Sequence, residues 1–291
     1  MPKSAFVAIV GRPSSGKSTL LNALCGAKVA IVSPIPQTTR NSIRGIVTRP
    51  EGQLVFVDTP GYHLSDRKFN KKLQELVVQA LSEVDIVLYL VDATRDPGPE
   101  EEALLTLLKE HSNHLIIAIN KIDDADSKPL IMEEFLASRL KEARRIKISA
   151  LKQQNLDQLL SLLFELAEEG PLWYPEDIYT DQEPVFRIAE IVREKAMLHT
   201  RQELPHAIAV EYRESSRKPD GSLLARYDII VERDSQKAIV IGKKGSVIQS
   251  IREEAEAELA ELFDYPVKLS LQVVVDPDWR KDDKRLASMI F

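Results

Sequence analysis

An apolar run, Phe6 to Val10, leads straight into Gly11-Arg12-Pro13-Ser14-Ser15-Gly16-Lys17-Ser18-Thr19, and a helical pattern from Lys17 to Leu24 follows at once. Few folds accept that succession. A strand, a glycine-rich turn ending in Gly-Lys-Ser and a helix aim backbone N–H groups, and the positive end of the helix dipole, at a bound anion. The loop N–H groups then surround a β-phosphate, Lys17 reaches between the β- and γ-phosphates, and the Ser18 hydroxyl is placed to ligate Mg2+. All of Gly11 to Thr19 is assigned to this phosphate site.

Around the motif, residues 1–170 alternate short apolar runs with amphipathic stretches. Strands are expected at Phe6 to Val10, Gln53 to Asp58, Ile86 to Asp92, His114 to Asn120 and Arg145 to Ser149. Helices are expected at Lys17 to Leu24, Asn70 to Val84, Glu100 to Lys109, Lys128 to Lys141 and Asn155 to Ala167. Strands separated by helices imply crossover units, hence an α/β domain with a largely parallel sheet covered on both faces.

Gly170-Pro171, Trp173-Tyr174-Pro175 and Pro184 break the pattern and mark a linker over 171–184. Beyond it the pattern changes. A helix at Val185 to His199, strands at His206 to Glu214 and Leu223 to Glu232 joined by Pro219-Asp220-Gly221, and a short strand at Ala238 to Ile241 are expected. A helix from Ser246 to Leu262 and a strand at Val267 to Val275 complete a smaller α+β domain over 185–275, with 276–291 as a polar tail.

The chain's 291 residues suit two domains of roughly 100 to 200 residues each. Its one cysteine, Cys25, excludes an internal disulfide and a thiolate metal cluster, and reads as a small core residue of the first helix. The five histidines show no metal-ligand spacing. No segment approaches the roughly 18 consecutive apolar residues needed to cross a bilayer. The start, MPKSAFVAIVG, enters a core strand with no signal-peptide pattern, so a cytoplasmic location is expected.

A second carboxylate is needed near the phosphates, and Val55-Phe56-Val57-Asp58-Thr59-Pro60-Gly61 supplies Asp58 for the metal, while Gly61 lets its N–H approach a γ-phosphate. Base choice comes from Asn120-Lys121-Ile122-Asp123. The Asp123 carboxylate can accept from guanine N1–H and the exocyclic amine, a pair that adenine does not offer. Asn120 would tie the loops together, the stem of Lys121 would cover the base, and Ser149-Ala150-Leu151 would bring an Ala150 N–H to guanine O6.

The ordered set GRPSSGKST, PQTTR, DTPG, NKID and SAL resembles the translation-factor class of small GTPases, and in particular the Era family. That resemblance implies GTP and GDP as ligands, with Mg2+. It also implies that a threonine of Pro36-Gln37-Thr38-Thr39-Arg40 closes onto the metal and the γ-phosphate; Thr39 is favoured, with Thr38 open on spacing alone. Lys28 to Arg44 and Tyr62 to Lys72 would be the two switches. Lys17, Thr39 and Gly61 take the catalytic assignments, and Ser18, Thr39 and Asp58 the metal. Where many regulatory GTPases carry a water-orienting Gln, this chain has Tyr62 and then His63, which predicts slow intrinsic turnover. His63 reads as a switch or surface residue in preference to a general base.

The second domain carries Gly242-Lys243-Lys244-Gly245 between an apolar segment and an amphipathic helix. A GxxG turn of this kind brings backbone close to single-stranded nucleotides, and its lysines attract phosphate. The overall charge of −6 divides equally on the two sides of Tyr179, yet Gln236 to Arg252 holds Lys237, Lys243, Lys244 and Arg252 and no acid. Gly242, Lys243, Lys244, Gly245 and Arg252 are assigned to RNA.

This part resembles a KH domain of the prokaryotic type (type II), and the two parts together resemble the Era family over nearly the whole chain. The implied role is GTP-controlled binding near the 3′ end of 16S ribosomal RNA, assisting assembly of the small (30S) subunit, with hydrolysis favouring release. The resemblance also carries peripheral association with the inner face of the cell membrane, for which the sequence holds no anchor. Two other classes stay open at this level: a constitutive RNA binder stabilised by nucleotide, and a GTPase acting at membranes.

Overall fold

A computed structural model describes residues 1–33, 35, 42–63, 68–201 and 204–280. The chain divides into two compact units. One is built from Met1–Ala30 and the chain leading up to Asp181; the other runs from Gln182 onward and takes in a short piece beginning at Ile31.

The first unit contains β1 (Lys3–Val10), α1 (Lys17–Cys25), β2 (Ile43–Arg49), β3 (Gly52–Asp58), α2 (Lys68–Ser82) and β4 (Ile86–Asp92). It continues through α3 (Pro99–Leu108), β5 (Leu115–Asn120), α4 (Pro129–Ala137), β6 (Arg144–Lys147), α5 (Leu156–Leu166) and the short β7 (Glu168–Glu169). The sheet order is β2-β3-β1-β4-β5-β6, parallel except where β2 meets β3, and β7 pairs antiparallel with the start of β1. Every residue of β3, β4 and β5 is buried, as a parallel sheet covered on both faces requires. Pro99 and Pro129 open α3 and α4, where a missing N–H costs nothing.

The strand β2 is absent from the sequence reading, which ends a switch at Arg44. Ile43-Arg44-Gly45-Ile46-Val47-Thr48-Arg49 mixes arginines and a glycine into the run, which blurs the strand signal. The fold gives Gly45 its reason: a Cβ there would lie 2.5 Å from Leu21 Cδ1 and 2.7 Å from Cys25 Sγ. Only a bare backbone lets α1 pack this close to β2.

The stretch 171–181 is bonded to the first unit. Fully buried Gln53 donates to Thr48 Oγ1 and the Tyr174 carbonyl, and accepts from the Trp173 and Tyr174 N–H groups. The Ile46 N–H donates to the Tyr179 carbonyl, and Asp181 accepts from Arg44 and the Tyr174 hydroxyl. These bonds cover the β2 edge of the sheet, which would otherwise offer unpaired backbone.

The second unit contains α6 (Pro184–Leu198), β8 (Ala209–Arg217), β9 (Leu223–Val231), α7 (Asp234–Ile241), α8 (Ser246–Leu262) and β10 (Val267–Val275). Its sheet order is β10-β9-β8, with β8 antiparallel and β10 parallel to β9. Ile188, Ile191 and Val192 of α6 and Ile251, Ala255 and Leu259 of α8 close the core against Tyr227, Ile229 and Val273 of the sheet.

Ala238 to Ile241, expected as a strand, forms the second half of α7. The run is apolar and β-branched, but both edges of β9 are already occupied by β8 and β10. Gln236 Oε1 accepts from the N–H groups of Glu232 and Arg233 and starts a helix, which buries Val240 and leaves Ile239 exposed.

Within the stretch read as a polar tail, Trp279 is 1% exposed, its indole N–H donates to the Ala207 carbonyl, and Arg280 grips Glu232 with two nitrogens. Trp279→Ala is expected to cost the second unit about 3 to 5 kcal/mol, seen as a lower urea midpoint, with Trp279→Phe much closer to wild type. Equal midpoints for wild type and Trp279→Ala would contradict this anchor.

Candidate functional site

The carboxyl ends of β1, β3, β4 and β5 share one edge of the first sheet, and the phosphate loop, Asp58, Gly61 and Asn120 gather there. Register pairs Ile9 with Asp58, Val10 with Tyr89 and Asp92 with Asn120. The phosphate loop leaves β1 at this edge and turns into α1 through Ser14 and Gly16, both at positive φ. Lys17 is buried, and its Nζ donates to the carbonyls of Arg12 at 3.0 Å and Gly11 at 3.3 Å. Burial pushes the ammonium down to about 8, against an opposing pull from the Asp58 carboxylate. It is a cation held at the mouth of a cradle, under-compensated and suited to an added anion.

Ser18 Oγ donates to Asp58 Oδ2 at 2.7 Å, which brings two of the three expected metal ligands to one point. Asp58 is fully buried, and neighbouring Thr59 fixes the turn by donating its hydroxyl to the Ile9 carbonyl. Thr38 and Thr39 lie outside the described residues. Gly61 presses on the phosphate loop: a Cβ there would lie 2.7 Å from Pro13 Cα. The next N–H, of Tyr62, donates to the Gly11 carbonyl.

Asn120 joins the loops in the manner read from sequence. Its Nδ2 donates to the Ser15 carbonyl and its Oδ1 accepts from the Ala150 N–H, both at 2.9 Å. Ala150 is therefore engaged by a side chain, and its assignment to guanine O6 needs that bond shared or exchanged. Ser149 is buried and accepts from the Lys152 N–H, whereas Leu151 and Asp123 are exposed. Lys121 adopts φ 66, and its Nζ reaches Asp92 Oδ2 at 2.6 Å.

Some partners of the groups at this edge, Glu100 and Glu101, carry no motif in the sequence. Arg12 is clamped by Glu100 and Glu101 of α3, and His63 Nδ1 contacts the same Glu100. Asp92 does have a signal. It ends an apolar strand, as Asp58 and Asn120 do, so the repeated pattern of a polar residue closing a buried strand would have found it.

In the second unit, Gly242 and Gly245 stand at φ 73 and 80, and Lys244 at φ 53. A Cβ on Gly242 would lie 2.4 Å from Val247 Cγ2, so glycine is demanded here both by space and by the turn. The Gly245 N–H donates to the Gly242 carbonyl. Lys243, Lys244 and Arg252 are exposed on and beside this turn, with α7 and α8 leaving from its two ends. Among the described residues no helix is long and apolar enough to cross a membrane.

Comparison with known proteins gives two family matches, "50S ribosome-binding GTPase" over residues 6–121 and "KH domain" over residues 203–280. The chain is 50% identical to GTPase Era of Treponema denticola, covering 96% of this chain and 97% of that protein. It is 44% identical to GTPase Era of Borreliella burgdorferi, covering 99% of each. Among solved structures it is similar to a tyrosine-to-alanine variant of Aquifex aeolicus Era bound to GDP·AlF4−, at TM-score 0.93 and 38% identity over 99% of this chain and 100% of that one. It is likewise similar to Era in complex with MgGDPNP and nucleotides 1506–1542 of 16S ribosomal RNA, at TM-score 0.94 and 38% identity over 100% of both chains.

The depressed lysine has a measurable consequence. The folded chain holds Lys17 at about 8, against 10.5 for the free side chain. Below the lower value both states carry the proton and the folded state bears the cost of a buried charge. Between the two values the unfolded state binds more protons, so stability rises with pH. The difference in unfolding free energy between wild type and Lys17→Met, both free of nucleotide, is expected to move in favour of wild type across that window. A flat difference in urea unfolding at stepped pH would overturn the assignment.

Proposed function

This chain belongs to the Era family of GTPases, and on that premise we propose that it hydrolyses GTP to control its grip on single-stranded RNA near the 3′ end of 16S ribosomal RNA during assembly of the small ribosomal subunit. The carrying observation is one chain holding both a loop-and-carboxylate phosphate site and an exposed lysine-bearing GxxG turn. The RNA-bound relative of the same architecture supports that pairing.

Within this reading the phosphate loop N–H groups and Lys17 bind the β- and γ-phosphates, and the phosphates restore the charge that burial takes from Lys17. Asp123 reads the guanine edge, Asn120 holds the two loops at fixed spacing, and Lys121 covers the base. Ser18 and Asp58, hard oxygen donors brought to one buried point, suit Mg2+, with Thr39 as the third protein ligand. That ion would neutralise charge developing on the phosphates. Gly61 offers its N–H to the γ-phosphate because its lack of a side chain lets the turn lie against Pro13. With no Gln beside it, water is poorly oriented and turnover is slow.

In the second unit Gly242 to Gly245 would clamp the RNA backbone, and Lys243, Lys244 and Arg252 would add phosphate attraction. A GTP switch requires RNA affinity to differ between nucleotide states, since equal affinities shift no population. Cytoplasmic action is the matching location, and a contact with the inner membrane face would have to come from the surface of the fold.

Two measurements test this. Replacing Lys243 and Lys244 with Asp is expected to weaken binding of a 16S 3′-end oligonucleotide by about tenfold or more at fixed salt, with GDP affinity nearly intact. RNA binding that does not change would move the groove elsewhere, and equal RNA affinity of the GDPNP and GDP forms would remove the switch. Separately, His63 has Glu100 as its partner on α3, so His63→Ala should leave the single-turnover hydrolysis rate within about twofold. A loss of the 100-fold order typical of a general base would reinstate His63 in catalysis.

A further inference from the structure

Asp92 ends β4 opposite Asn120 in the parallel register and is 3% exposed. A carboxylate that deep persists as an anion only with partners. It has four. The Thr94 N–H at 3.0 Å and hydroxyl at 2.6 Å both donate to Oδ1. Lys121 Nζ donates to Oδ2 at 2.6 Å, and Arg95 Nε stands 3.5 Å from that same oxygen. Burial pushes this carboxyl up, but the bonds from Lys121 and Thr94 outweigh it and hold the group below its ordinary range.

The division of labour between the two oxygens matters. Thr94 fixes the rotation of the carboxylate, so Oδ2 is left aimed at the base loop. Lys121 leaves that loop from a left-handed backbone conformation, φ 66, which is uncommon for a long side chain. Its ammonium is then fastened at the far end. A lysine held at both ends loses the rotamer freedom that it would otherwise give up on meeting a ligand.

We propose that Asp92 is the positioning residue of the base loop: Oδ2 holds the Lys121 ammonium so that the lysine's aliphatic stem is laid out as a platform for guanine before the nucleotide arrives. The same carboxylate ties this platform to the phosphate loop, because Arg95 also donates from Nη1 to the Pro13 carbonyl at 3.3 Å. The inference rests on the guanine-site reading of Lys121 and Asp123. GDP and GTP share the base, so the effect of Asp92 is common to both.

Asp92→Asn keeps the size and the Thr94 bonds and removes the charge that holds Lys121. Lys121→Met keeps an apolar stem and removes the ammonium. Each is expected to weaken binding of mant-GDP and of a mant-GTP analogue by about tenfold, the worth of one side chain left unordered. The loss falls on KM for GTP, with kcat moving less than about twofold. The double variant is expected to be no weaker than either single one, because both break one contact.

Wild-type nucleotide affinity in Asp92→Asn would overturn the proposal, as would a further tenfold loss when Asp92→Asn is added to Lys121→Met. The latter is what a role that bypasses Lys121, such as holding Arg95, produces. If Asp92→Asn does not fold, Lys121→Met decides alone, and wild-type affinity in it sinks the platform. Asp123→Asn separates the two layers of inference. A preference for guanine over xanthine that survives Asp123→Asn removes the base-site reading itself. A preference that reverses, beside unweakened Asp92→Asn and Lys121→Met, keeps the Asp123 reading and removes the platform that Asp92 was to hold.

Discussion

Parallel pairing of β1, β3, β4 and β5 is the constraint on which the first unit depends. Parallel strands all present their carboxyl ends at one edge, and beyond the last ladder bond each chain must turn with backbone groups unspent. The register sets Asp58 beside Ile9 and Asp92 beside Asn120. Four loops therefore converge with no further device. The burial of whole strands such as Leu115–Asn120 makes the edge rigid, since each buried aliphatic side chain contributes about 1.5 to 3 kcal/mol.

That edge gathers charge which the fold would not otherwise tolerate. Lys17, Asp58 and Asp92 are all buried at the ends of strands or just beyond them, and each is balanced in a different way. Lys17 leans on loop carbonyls and is left under-compensated. Asp58 meets the hydroxyl of Ser18. Asp92 is fully paired. Asp92 in turn sets another side chain, that of Lys121.

The second unit solves a different problem, which is to carry a tight, positively charged turn at its surface. Two positive-φ glycines and Lys244 bend the chain sharply between α7 and α8, and the bend carries exposed lysines instead of covering them. Its acidic helix, with Glu253, Glu254 and Glu256 close behind Arg252, keeps the total charge negative while the turn itself is positive. Net charge hides this arrangement because the positive turn and the acidic helix cancel in the sum.

Much of this was legible from residue order. Gly11 to Thr19, Asp58, Asn120 to Asp123 and Gly242 to Gly245 are local signals, since turn conformation and helix start are decided by neighbours in sequence. What escaped was set by neighbours in space. The strand β2 forms because Gly45 admits α1, Ala238 to Ile241 coils because β9 has no free edge, and Gln53 pins a stretch that reads as a linker. The sequence by itself determined which chemical groups are present and where the chain turns to offer them. Only the tertiary structure decided that Asp92 faces Lys121, that Glu100 takes both Arg12 and His63, and that Trp279 is core, because these are contacts between distant residues whose energies depend on burial and register.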